Sequence, residues 1–195
     1  MRFMLLFVDT ETTGLPNYSV SNDIEKWPRV VQLAWSLYNN DGNREILNSF
    51  IIYPTDFTIP HDSARIHGIT TERAKKEGVS LHKVLPQFNA DIEKATTIIA
   101  HNAEFDLPIV NTEFLRSKIE TNLFKKQKFC TMKTPKIISY CKLPKSSGFG
   151  YKWPTLKELH LQLFETEFTD SHNAGADVEA CAKCYFELRR RGVIE

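Results

Sequence analysis

The chain has 195 residues, 42% of them hydrophobic, which suits one core and a single domain over residues 1–195. Its 25 basic and 24 acidic residues leave a net charge of +1, so no global basic field marks a nucleic-acid or anionic-membrane partner. No stretch approaches the roughly 18 consecutive apolar residues of a membrane span, and no small-residue cleavage site follows the first apolar run, so a cytoplasmic protein is expected.

Phe3 to Val8 is apolar at nearly every position, as expected of a central strand covered on both faces. It runs into Asp9 and Glu11. Side chains two apart on a strand share a face, so these two acids point the same way and repel. Something positive, or a shared proton, is needed there.

Arg29 to Tyr38 alternates and reads as a second strand. Asn39-Asn40-Asp41-Gly42 has hairpin chemistry, and Glu45 to Tyr53 reads as a third strand. The first three strands are thus expected to form an antiparallel meander. Pro60 to Gly68 fits a short helix ending at glycine, and Thr71 begins another. Ser80 is placed as the cap of a helix with Leu81, Val84, Leu85, Phe88 and Ile92 on one stripe.

Thr96 to Ala100 reads as a short buried strand, followed by a helix from about Ala103 to Lys118 in which Pro108 predicts an irregular start or a bend. Phe129 to Met132 is a weaker strand candidate, and Pro144 to Pro154 has loop composition. Helices are expected from Thr155 to Phe164 and from Asn173 to about Arg191. Strands first, then strands alternating with helices, predict a mixed α/β sheet with helices on both faces. The four cysteines include a C-x-x-C, Cys181 and Cys184, on the apolar stripe of the last helix; no second pair accompanies it, and small core residues in a reducing compartment are expected.

Four acids then claim notice together: Asp9 and Glu11 at the end of the first strand, Asp106 early in the helix after the short strand, and Asp177 early in the last helix, with His172 just before it. Singly, such residues are ordinary turn or capping residues. Converging at the ends of neighbouring strands, where open α/β sheets place their sites, they suit a pair of hard divalent cations, Mg²⁺ or Mn²⁺. Histidine, with an ordinary pKa of about 6.5, can take a proton from water near neutral pH, which makes His172 a general-base candidate. No G-x-G-x-x-G follows the first strand and no G-x₄-G-K-[ST] occurs, so nucleotide-cofactor chemistry has no support.

Three segments, FVDTETTG from Phe7, HNAEFD from His101 and HNAGAD from His172, together resemble the DnaQ-like (DEDDh) 3′–5′ exonucleases. The third fits the histidine form of that family, since Asn173 stands where a tyrosine would be. Ala64 to Thr70 (ARIHGIT) resembles a segment of the proofreading epsilon subunits of bacterial DNA polymerase III. The resemblance implies an RNase H-like fold with a five-stranded mixed sheet flanked by helices. It implies that Asp9, Glu11, Asp106 and Asp177 hold two divalent cations, with Asp106 acting partly through water, and that His172 deprotonates the attacking water. It places Thr12, Leu15, His67, His101, Asn102 and Phe105 around the terminal nucleotide of a single-stranded or frayed DNA 3′ end.

An exoribonuclease acting on tRNA or short oligoribonucleotides shares the same motifs, and a non-catalytic nucleic-acid-binding module shares the fold. Arg189 to Arg191 reads either as a phosphate contact or as a solvated helix end. Lys142, Lys145 and Lys152 flank a Gly/Ser loop that could guide a strand. No polymerase tether or sliding-clamp peptide is evident; proofreading, repair and turnover stay open, as does a homodimer.

Overall fold

The computed structural model describes residues 3–20, 23–168 and 171–195. Its central strand, β1, runs from Met4 to Thr12, four residues further than the apolar run. The acids therefore lie within the strand: Asp9 faces Ala34 and Glu11 faces Gln32 on the antiparallel strand β2 (Val30–Asn39), and the register shifts only between Glu11 and Thr12. β2 pairs antiparallel with β3 (Arg44–Ile51), completing the expected meander. The hairpin between them follows the predicted turn. Asn39 accepts from the amides of Asp41 and Asn43 at 3.0 Å each, and Gly42 takes the left-handed φ of 85° that the turn requires.

Two parallel strands, β4 (Thr97–Ala100) and β5 (Gln127–Cys130), extend the other side of β1, giving a five-stranded mixed sheet in the order β3-β2-β1-β4-β5. The helices are α1 (His61–His67), α2 (Thr71–Glu77), α3 (Leu81–Lys94), α4 (Ala103–Arg116), α5 (Pro135–Cys141), α6 (Leu156–Phe164) and α7 (Ala174–Arg190). α5 has no counterpart in the sequence reading. It opens on Pro135, whose missing N–H costs nothing at a first helical position, but its seven residues are too few to show a clear apolar stripe.

β1 divides the core by the alternation of its side chains. Met4, Leu6 and Val8 pack under α3 and α4 with Trp35, Phe88 and Phe114. Leu5 and Phe7 pack under α6 and α7 with Leu159, Val178 and Tyr185. The stripe expected on α3 is buried at Val84, Leu85, Phe88 and Ile92. Ser80 does occupy the cap position of α3, but its side chain makes no capping bond; Thr155 does cap α6, in a reciprocal box with Glu158. Pro108 lies within α4 without ending it; it leaves the Glu104 carbonyl without its helical donor, and the Tyr18 hydroxyl donates there instead at 2.9 Å.

The C-x-x-C pair is core, as expected. Cys181 and Cys184 are buried on α7, and burial raises both thiols, that of Cys184 to about 12. Among the described residues, no helix is long and apolar enough to cross a membrane.

Candidate active site

Asp9 and Glu11 occupy the face of β1 that α7 covers, so the alternation that buries Leu5 and Phe7 also aims these acids at the start of α7. There Asp177 joins them. Carboxylate oxygens of Asp9, Glu11 and Asp177 all lie within 4.8 Å of one another. The start of α7 is fixed on the sheet by three polar groups. Gln32 Oε1 accepts from the amide of Ala174 at 3.2 Å, Gln32 Nε2 donates to Ser49 at 3.0 Å, and Asn173 caps the helix by accepting from the amide of Gly175 at 3.0 Å.

Asp106 arrives from the other side of the sheet. It sits in the first turn of α4 and is only 2% exposed. One of its oxygens accepts from both the Thr10 hydroxyl, at 2.8 Å, and the Thr10 amide, at 3.0 Å. Thr10 lies between Asp9 and Glu11 in the strand and so points to the opposite face, the one that α4 covers.

The electrostatics match an unneutralised anionic cluster. Burial, then the charges of Asp106, Asp177 and Glu11, raise the Asp9 carboxyl well above the usual range. Burial and the same neighbouring acids push Glu11 up to about 8. Burial raises Asp106 to about 7, although the two Thr10 hydrogen bonds pull it back. Burial also raises Asp177, opposed by the hydrogen bond from the His172 amide, 3.0 Å from Asp177 Oδ2. Among the described residues, no lysine or arginine forms an ion pair with any of the four. Three clustered carboxylates without a basic side-chain partner among the described residues, backed by a fourth, fit a hard divalent ion by the chemistry of their donor set.

His172 stands beside this cluster. Its side chain is exposed and its backbone is left-handed at φ 68°, a turn that brings its amide round to Asp177. His67 ends α1, is 8% exposed, and accepts at Nδ1 from the amide of Ile69 at 3.1 Å. Its Nε2 is buried without a hydrogen-bond partner, and burial lowers its pKa, opposed by the Thr12 backbone. The Thr12 hydroxyl donates to the Gly14 carbonyl at 2.8 Å.

His101, expected at the terminal nucleotide, instead ties two segments of the chain together. Its Nε2 sits 3.1 Å from the Pro154 carbonyl and its Nδ1 2.9 Å from the Thr131 hydroxyl. A carbonyl only accepts, so Nε2 carries the proton and Nδ1 accepts from Thr131. Burial lowers this imidazole to about 4, so it is neutral and holds the loop before α6 against the end of β4.

Leu15, Asn102 and Phe105 line one groove of about 880 Å³, whose walls include none of the four carboxylates. Leu15 is 85% exposed, so it is no core residue, whereas Phe105 is partly buried against the α3–α4 side of the core. The basic features are mostly occupied. Arg190 and Arg191 both pair with Glu187 on their own helix, Arg189 donates to Asn40, and Lys152 pairs with Glu158.

Sequence reasoning assigned no role to Thr10, Gln32, Lys133 or Trp153. Thr10 was signalled by polarity at an inward position of an apolar strand. Trp153 was signalled by the run FGYKWP, where aromatics alternate with a lysine.

A mixed five-stranded sheet that gathers acids at one end of its central strand defines an RNase H-like nuclease fold. Residues 6–185 match the model of the RNase T family, described as exonuclease, and the chain belongs to that family. No curated protein sequence matches it. Solved structures of exonuclease I share its fold. The E. coli enzyme in complex with a dA16 oligonucleotide aligns with a TM-score of 0.77 at 18% identity, over 97% of this chain and 41% of that one. Its zinc-bound complex with single-stranded DNA gives 0.74 at 19% identity, over 98% and 41%. A product-bound exonuclease I gives 0.75 at 16% identity, over 99% and 45%. The chain thus spans less than half the length of these proteins.

Proposed function

We propose that residues 1–195 form one exonuclease unit that removes nucleoside 5′-monophosphates from DNA 3′ ends, with Mg²⁺ or Mn²⁺ as cofactor. The observation that carries this reading is the convergence of Asp9, Glu11 and Asp177, with Asp106 behind them, at the end of β1. In this reading Asp9, Glu11 and Asp177 hold one cation and Asp9 and Asp106 a second. When bound, the two cations supply the positive charge that balances the carboxylates and the reacting phosphodiester.

The chain's own groups do the rest. The His172 imidazole, exposed beside the cluster, takes a proton from the attacking water. The new bond joins the water oxygen to phosphorus, and the bond from phosphorus to the 3′ oxygen breaks. The products are a 5′-monophosphate and a strand with a new 3′ hydroxyl. Thr12, His67 and Asn102 border the place of the terminal nucleotide, Leu15 and Phe105 offer apolar faces to its base, and His101 positions the neighbouring loop. Apolar contacts tolerate any base, as a degrading enzyme requires.

The likeness to exonuclease I complexes with single-stranded DNA supports a DNA substrate, and the ARIHGIT segment supports a kinship with proofreading subunits. Unpaired cysteines support a reducing, cytoplasmic setting. The test offers matched DNA and RNA strands, labelled at the 5′ end, with Mg²⁺ or Mn²⁺. A ladder shortening from the 3′ end, absent with EDTA and in Asp9→Ala, is expected, faster on DNA. Faster loss of RNA would reassign the substrate, and no cleavage of either would leave a binding module.

A further inference from the structure

Leu15, Asn102 and Phe105 line only part of the groove of about 880 Å³. Its further walls are Tyr18, Phe124 and Trp153, with Lys128 and Lys133 between them. Each aromatic keeps about half its surface exposed: Tyr18 56%, Phe124 47% and Trp153 55%. They come from three separate segments of chain, so no single amphipathic element explains the grouping.

Each lysine is held against an aromatic face. Lys133 Nζ lies 4.6 Å from the centre of the Trp153 ring and pairs with Glu104. Lys128 Nζ lies 4.9 Å from the centre of the Phe124 ring and donates to the Phe124 carbonyl. The Tyr18 hydroxyl donates to the Glu104 carbonyl at 2.9 Å, which pins that wall to the start of α4. Glu104 is the groove's acidic residue, and Lys133 neutralises it. Phe105 belongs to this groove while Asp106, the next residue, belongs to the carboxylate site, so the first turn of α4 serves both.

Flat aromatic faces with ammonium groups beside them suit a polymer of bases and phosphates. An apolar peptide would need neither lysine. We infer that this groove is the path of the single strand upstream of its 3′ terminus, where successive bases stack on Phe124 and Trp153 and Lys128 and Lys133 meet the phosphates. This rests on the exonuclease reading for the direction of the strand, but not for its binding.

The experiment measures binding of oligothymidylates of one to six nucleotides in EDTA, where metal-dependent cleavage cannot occur. In the wild type, affinity is expected to rise steadily with length. In Phe124→Ala/Trp153→Ala the rise should shrink at least roughly thirtyfold, since two stacking faces are lost, and Trp153→Phe, which keeps a stacking face, should lose far less. Trp27 and Trp35 are 8% and 0% exposed, so quenching of the fluorescence reports Trp153. Quenching is expected from strands of three or more nucleotides and not from the mononucleotide. Lys128→Ala/Lys133→Ala should flatten the dependence of log Kd on log salt by roughly 1.4, from about 0.7 for each lost phosphate contact. A double aromatic variant with the wild-type dependence on length, or a wild type that binds no strand, overturns the inference. A wild type that shows the length dependence but cleaves nothing when metal is added keeps the groove and removes the exonuclease reading. Cleavage and affinity both unchanged in the aromatic variant remove the groove alone.

Discussion

Thr10 holds one oxygen of Asp106 twice, through its hydroxyl at 2.8 Å and its amide at 3.0 Å. The strand that carries Asp9 and Glu11 toward α7 thereby also fixes the acid that comes from α4. Thr10→Val removes the hydroxyl while keeping shape and the amide bond. A hydrogen bond to a charged group contributes about 1.5–3 kcal/mol, and one of two is lost. We expect a stability loss of about 1–2 kcal/mol in denaturant titrations and a fall of at least roughly tenfold in kcat/KM. Unchanged kcat/KM would mean that the amide alone orients Asp106.

Glu113 on α4 is 1% exposed and binds Arg29 at 2.9 Å, Arg116 at 3.2 Å and the Val30 amide at 3.1 Å. Arg116 in turn donates to the carbonyl of Trp27 at 2.9 Å. Together these tie the connection between β1 and β2, which carries Leu15 and Tyr18, to α4. Glu113→Ala leaves two cations facing each other in a poorly solvated place. A loss of about 3–5 kcal/mol is expected, read as a lower midpoint in urea. A change under about 1 kcal/mol would show the arginines fully satisfied by carbonyls and Asp56.

The sheet was legible because each strand carries its own local signal. The apolar run of β1, the alternation in β2 and the Asn-Asn-Asp-Gly turn each act over a few residues, and the meander follows from them. The acids were legible because D-x-E and the two later motifs place carboxylates at the ends of elements whose order was already readable. What stayed hidden depends on contacts between distant segments. The Thr10–Asp106 pair spans 96 residues and the Gln32–Ala174 bond 142, and neither leaves a local pattern. The strand also ran further than expected, because β2 supplies hydrogen-bonding partners to Asp9 and Glu11 whatever their polarity. The groove was missed because Tyr18 and Phe124 lie in three-residue 3₁₀ turns and Trp153 in a loop, all too short to show periodicity.

Gln32 joins two parts of the site, since it faces Glu11 across the sheet and accepts from the first amide of α7. Gln32→Leu keeps the volume but leaves the Ala174 amide, Ser49 and Asn173 without that partner. A cost of about 1–3 kcal/mol is expected for the orphaned buried groups. Because α7 carries Asp177, metal affinity should weaken alongside, measured by titration calorimetry. Weaker stability with unaltered metal affinity would show that Asn173 alone sets the helix start.

His172→Ala should lower kcat by roughly a hundredfold or more, the usual contribution of a positioned general base. The His172 amide, not its side chain, holds Asp177, so metal affinity should change little. The shape of the pH–rate profile on its acid side should change as well. An identical profile at reduced rate would assign His172 to substrate positioning.

Metal-free protein should lose stability as the pH rises. Glu11 sits near 8 when folded, against an ordinary 4.5, and Asp106 near 7, against 3.8. Between those limits the folded state holds protons that the unfolded state has released. The linkage relation then gives a negative slope of stability on pH, so the protection is complete below about pH 4 and lost through pH 7 to 8. A divalent cation reverses the sign of the effect. It replaces the protons, so its apparent affinity rises over the same window and its binding releases them. Thermal melts in EDTA should therefore fall in Tm from pH 5.5 to 8, and Mg²⁺ or Mn²⁺ should raise Tm most at pH 8. Asp9→Asn/Glu11→Gln should reduce both trends without abolishing them, because Glu11 and the raised Asp9 beside it no longer titrate while Asp106 still does. A Tm in EDTA that climbs with pH across this range would mean that a cation other than a metal already neutralises the cluster.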